Sequence, residues 1–229
     1  MIFDFRFWRY LANQQELIDN LGTSTMRDFK KRAWMVGFFG LLLYVLQELW
    51  GMNTQHITSV YALGGQDSFA LARLVSLAGI IIWAVLYLSF HFFGIAFLLN
   101  KITGIVLSKL AVLQLYVVGI LLIEKALLFL IFMMLGITTP VSLFSFGPLA
   151  ATVFDHPFLV FFFNQLSIFT ALIIALQVRF ILSFTDMNAR TILLIVIAIH
   201  TIMALITATV GILPLEEWFI RVVEGGNPK

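Results

Sequence analysis

The stretch 110–135, LAVLQLYVVGILLIEKALLFLIFMML, decides the fold. A bilayer core about 30 Å thick is crossed by roughly 20 apolar residues at about 1.5 Å rise, and this segment is longer than that. Its only charged residues are Glu124 and Lys125. A helix that is apolar on every face has no easy home except a large core or lipid. Four further runs of the same kind, 33–50, 74–99, 158–182 and 191–213, flank it on both sides. The chain is 61% hydrophobic and 11% charged with mean hydropathy +1.02, whereas soluble domains run at about 45–50% apolar and about 25% charged. Lipid is therefore the expected solvent. The fold expected is all-α: a polytopic membrane bundle of five transmembrane helices.

Lys and Arg beside the spans give the orientation, because cytoplasmic flanks carry the excess of both. With the N-terminus inside, the inner side holds ten: Arg6, Arg9, Arg27, Lys30, Lys31, Arg32, Lys101, Lys109, Arg179 and Arg190. The outer side holds three, Arg73, Arg221 and Lys229, and Lys125 lies within the third run. Five spans then put the C-terminus outside. Three regions follow: a cytoplasmic N-terminal segment 1–32, a transmembrane region 33–213, and a short extracytoplasmic tail 214–229 that closes in a flexible Gly225-Gly226-Asn227-Pro228. The net charge of +2 is too small for its pI of about 9.0 to signal nucleic-acid binding.

In the N-terminal segment Phe3, Phe7, Tyr10, Leu11, Leu17, Ile18 and Leu21 recur at helical spacing opposite Asp4, Arg6, Arg9, Gln15, Glu16 and Asp19. That pattern predicts an amphipathic helix lying on the membrane surface, with docking under the bundle as the other use of the same face. Gly22 is placed to stop it, and Thr25 with Asp28 resembles a capping box opening the next helix. No signal-peptide core precedes the first span, so that span is expected to stay in the mature protein. Small residues four apart, Ala171/Ala175, Ala204/Ala208 and Thr207/Gly211, suit close approach of the last two spans.

Ionisable groups in hydrocarbon are costly and mark partners or pathways, which makes Glu124 and Lys125 the most informative pair. Neighbours in sequence point about 100° apart on a helix, so each needs its own partner. By type the candidates are His91, His200, Gln114, Asn164, Gln165 and Glu48. Counting rise from the cytoplasmic ends puts His91 and His200 at comparable depth, with Glu124 further out. The intramembrane set to follow is Glu124, Lys125, His91, His200 and Gln165. One reading is a proton or ion path through the bundle. The other is structural contacts that fix helix register, favoured here because no internal repeat and no Gly/Pro-broken helix is visible.

Recognisable catalytic patterns are missing. With no cysteine there is no disulfide, thiolate site or thiol nucleophile. The H-E-x-x-H and G-x-x-x-x-G-K-[ST] patterns do not occur, and His56 and His156 stand singly in loops. Glu216, Glu217 and Arg221 spell the E-E-x-x-x-R of CAAX-type intramembrane proteases, but the histidines that family takes from later helices have no counterpart downstream. No catalytic residue, metal site or cofactor is assigned.

Several stretches together resemble the Yip-domain family of membrane proteins. They are Trp8-Arg9-Tyr10-Leu11, His91-Phe92-Phe93-Gly94, Lys101-Ile102-Thr103-Gly104, Ser142-Leu143-Phe144-Ser145-Phe146-Gly147-Pro148-Leu149 and Leu166-Ser167-Ile168-Phe169-Thr170. The link Thr185-Asp186-Met187-Asn188-Ala189-Arg190 departs from the family in carrying a single basic residue. The resemblance implies a five-helix bundle with a cytoplasmic N-terminus. It also implies a non-enzymatic scaffold or accessory protein of the bacterial plasma membrane, like the YknW type. Such a protein would bind another integral membrane complex, such as an ABC exporter, with homo-oligomers as a further option. A small transporter or channel through Glu124, Lys125, His91 and His200 is the alternative, followed by a membrane enzyme acting on lipid.

Overall fold

A computed structural model describes residues 2–4, 6–52 and 58–213, with residues 58–64 given by backbone alone. Two short strands, β1 (Ile2–Phe3) and β2 (Thr25–Met26), pair in parallel and bracket two helices, α1 (Phe7–Ala12) and α2 (Gln14–Thr23). Then come α3 (Phe29–Trp50) and α4 (Thr58–Ser89), followed by a π-helical segment (Phe90–Gly94) that continues into α5 (Ile95–Thr103). The chain closes with α6 (Leu107–Leu135), α7 (Gly147–Val153), α8 (Pro157–Asn164), α9 (Ile168–Leu182) and α10 (Ala189–Gly211). The fold is all-α, and four stretches are long and apolar enough to cross a membrane: Phe29–Trp50, Gly65–Thr103, Leu107–Leu135 and Ala189–Gly211.

The deciding stretch sits at the centre. α6 packs against α3, α5, the π-helical segment and α9, and its residues from Val112 to Val118 are buried without a gap. The periphery is the reverse: Trp34 is 81% exposed, Phe38 61% and Leu194 66%. Apolar side chains pointing outward on several helices are what a hydrocarbon solvent asks for.

Three expectations need correction. The 158–182 run is not one helix, because α8 ends at Asn164 and α9 begins at Ile168. The stretch 51–73 left between the first two apolar runs is not simply a connecting loop, since α4 starts at Thr58, and Gly65 (φ 75°, ψ −171°) bends it where a side chain would strain the backbone. Thr25 does not cap a helix: it pairs with Ile2 in the two-stranded ladder, and α3 starts behind Asp28, itself left-handed at φ 52°.

The N-terminal segment uses its apolar face on the bundle. Phe3, Tyr10, Leu17, Ile18 and Leu21 join the main core with α6 and α9, and the Phe7 ring stacks on Tyr116 at 5.5 Å and 5°. Gly119 makes room for it, since a Cβ there would lie 2.5 Å from Phe7 Cε2. Arg9 and Glu16 join α1 to α2 through a two-pronged ion pair with contacts of 2.6 and 2.8 Å. Among the described residues of the segment, Ile2 and Trp8 are the large apolar side chains left exposed.

Of the small-residue pairs, Ala204 and Ala208 are buried in α10, which packs against α8 and α9. Ala171 and Ala175 face outward from α9. His56, the Glu216–Glu217–Arg221 group and the tail 214–229 lie outside the described residues.

Candidate functional site

The site forms around the interruption at Gln165, Leu166 and Ser167. Residues with short polar side chains compete with helical hydrogen bonds by bonding to nearby backbone, and here the competition is won from both directions. Ser167 caps α9 by accepting the Thr170 N–H at 3.1 Å, while the Thr170 hydroxyl donates to the Gln165 carbonyl at 2.8 Å. Across the gap, Phe146 N–H donates to Leu166 O and Ile168 N–H to Phe144 O, each at 3.1 Å. Asn164 ties the same loop down: its Oδ1 accepts from Ser142 N–H at 2.7 Å and Ser145 Oγ at 2.8 Å, and its Nδ2 donates to Pro140 O at 3.3 Å. Backbone groups freed in apolar surroundings have to be satisfied by protein or face a cavity. Here hydrogen bonds meet them, and cavities adjoin the break.

Two cavities adjoin the break and share Tyr87, Gln165 and Thr207 as walls. The inner one, of about 70 Å³, is lined among others by His91, His200, Gln114, Gln165 and Gln177. The outer one, of about 300 Å³, is lined among others by Lys125, Gln47, Ser142, Asn164 and Gln165. His91, His200 and Gln165 therefore meet at one cavity, Lys125 and Gln165 at the other, and Glu124 lines neither. Glu124 instead reaches the Ser167 hydroxyl, so a buried carboxyl sits at the start of α9, where the helix dipole favours negative charge. Glu124 and Lys125 form no ion pair with each other: among the described residues the ion pairs are Arg9–Glu16 and Arg27–Asp4.

Both histidines are held in defined tautomers. His91, in the π-helical segment, places Nδ1 3.0 Å from the Tyr87 carbonyl, and that oxygen can only accept, so Nδ1 carries the proton. The Tyr87 and His91 ring centres are 4.0 Å apart. His200 places Nε2 2.9 Å from Gln177 Oε1 and donates there in the same way, given that amide orientation. In the neutral rings, His91 Nε2 and His200 Nδ1 remain as acceptors. Single-turn π segments inside α-helices recur at functional sites, and Gly94 permits this one, because a Cβ there would lie 2.9 Å from Phe90 Cδ2.

Gln114 faces the inner cavity, is 0% exposed, and finds no hydrogen-bond partner for either amide atom among the described residues. Buried amides are seldom left so. The cavity it faces has room for about two waters by their liquid volume.

On the outer side Gln47 Nε2 donates to the Lys125 carbonyl at 3.1 Å and Ser76 donates to Glu48 at 2.5 Å, joining α3 to α6 and α4. Sequence reasoning missed Gln177, Ser167 and Tyr87. A signal existed for the first, a lone glutamine in an otherwise apolar stretch, and for the second, a serine three residues before Thr170. His156 is exposed ahead of α8, and no group of three metal-binding side chains occurs among the described residues. The stretches Ser142 to Leu149 and Leu166 to Thr170, quoted above for the Yip-domain resemblance, are the two bridged at the break by the Ser145–Ser167 ladder. No protein-family model, curated protein or solved structure matches the chain, so that resemblance rests on its residues alone.

Proposed function

We propose that this is a non-enzymatic integral membrane protein that carries a small solute through its bundle, by way of the two adjoining cavities. In this reading α8 and α9 together make a fifth, discontinuous crossing, with the N-terminus inside, the C-terminus outside, and a bacterial plasma membrane as the host. The observation that carries it is the interrupted helix at Gln165–Ser167 beside cavities lined by polar side chains, since transporters build midplane sites from broken helices. Proteoliposomes containing the purified chain test it. Flux of protons or small ions and solutes should exceed that of empty vesicles and fall at least tenfold in Gln165→Leu and Gln114→Leu. Flux equal to empty vesicles across such a panel rejects the reading.

A second reading is the scaffold implied by the Yip-domain resemblance, binding another integral membrane protein such as an ABC exporter. What supports it is that several interior polar groups are satisfied in place, as in His200 with Gln177, Glu48 with Ser76, and Glu124 with Ser167. Such contacts set helix register without moving anything. Purification in mild detergent distinguishes the two: a stoichiometric membrane partner, together with inactive proteoliposomes, favours the scaffold.

A further inference from the structure

Among the described residues one charged side chain, Lys125, lines the outer cavity, and no carboxylate does. The neighbouring Glu124 reaches the Ser167 hydroxyl and does not line the cavity, although its charge is still felt at Lys125, and Glu48 takes the Ser76 hydroxyl. The Lys125 ammonium makes no hydrogen bond or close ion pair among the described residues; the adjacent Glu124 acts on it electrostatically without direct contact, and the Lys125 backbone carbonyl accepts from Gln47. A cation at membrane depth is stabilised by a counter-charge or by water, and one facing a cavity of about 300 Å³ has room for the former. That volume lies at the lower end of small-molecule sites.

The remaining wall sets the class of ligand. Tyr44, Trp83 and Phe132 give the cavity an aromatic side. Ser142 also lines it: its Oγ already accepts from Phe144 N–H at 3.2 Å, which leaves its hydroxyl proton to donate. A single ammonium balances a single negative charge, and the donors suit two oxygens rather than the three of a phosphate. The loop that brings Ser142 follows α6 at the end of the bundle opposite the N-terminal segment.

From this geometry we propose that the outer cavity binds a small organic monocarboxylate with an apolar body, its carboxylate on Lys125 and Ser142 and its body against Tyr44, Trp83 and Phe132. The inference rests on the solute-carrying reading and names the class of solute. The same cavity excludes a cationic isostere, because Lys125 would repel it, and a neutral one gains only the aromatic contact.

The test uses the purified full chain in detergent, with benzoate, benzylamine and benzyl alcohol as probes at equal ionic strength. Benzoate should raise the thermal midpoint in a concentration-dependent way while the other two leave it within error. Lys125→Gln should weaken the benzoate effect at least tenfold, Lys125→Arg should retain most of it, and Ser142→Ala should weaken it a few-fold. Equal responses to all three probes, or undiminished benzoate binding by Lys125→Gln, overturns the proposal. If Lys125→Gln does not fold, the three-probe comparison on the unaltered chain decides. Benzoate binding without flux in any proteoliposome assay retires the transport reading and keeps the site. Flux of another solute without benzoate binding retires the site and keeps transport.

Discussion

The third and fourth apolar runs look alike by composition and behave oppositely. α6 carries two adjacent charged residues and runs unbroken from Leu107 to Leu135. The fourth run has no charged residue before Arg179, yet it parts into α8 and α9. Charge on a side chain does not interrupt a helix, because the backbone bonds are indifferent to it as long as the group finds a partner or a cavity. What interrupts is a nearby alternative for the backbone itself. Asn164, Ser167 and Thr170 supply that alternative, and the loop over 140–147 completes it with two ladder bonds.

Asn164→Leu should break the comparison most severely. It removes the acceptor for Ser142 N–H and Ser145 Oγ and the donor to Pro140 O, and should cost about 2–3 kcal/mol, counting one donor left unsatisfied. Thermal unfolding in one detergent, with hydrogen exchange rising across 140–147, checks it; unchanged exchange there would mean that the loop is held by something else. Gly119→Leu probes the continuous partner. The added side chain meets the Phe7 ring, and overpacking should cost about 2 kcal/mol and make the N-terminal segment more accessible to trypsin. Ser167→Ala sharpens the contrast by removing the cap of α9 and the hydroxyl on Glu124, at about 1 kcal/mol for the cap. Ser167→Asp restores a cap but faces Glu124 with a second acid, and should be the less stable of the two. Arg9→Ala sets the floor: its ion pair with Glu16 is largely solvent-exposed, so no measurable change in midpoint is expected.

The apolar runs were plain in the sequence because hydropathy acts residue by residue and needs no partner. Four of them became single long stretches, and His91, His200, Gln165 and Lys125 were picked out simply as polar groups where polarity is costly. The break at Gln165–Ser167 was not legible. It contains neither glycine nor proline, and it exists through bonds to Phe144 and Phe146 some twenty residues earlier. Nor did sequence say which use the N-terminal apolar face would have, since lipid surface and protein groove favour the same spacing. The π-helical segment at His91 was hidden for a similar reason, as it depends on a carbonyl at Phe90 reaching the N–H of Ile95.

The seat of Phe7 against Tyr116 and Gly119 has a temporal side. A ribosome delivers Phe7 more than a hundred residues before Gly119, so the groove that receives the ring does not yet exist when the ring emerges. Until the groove forms, the apolar face lacks its final partner, and a bilayer surface suits the same spacing. α1 therefore precedes α6 in synthesis yet can reach its final neighbours only after α6 has been made.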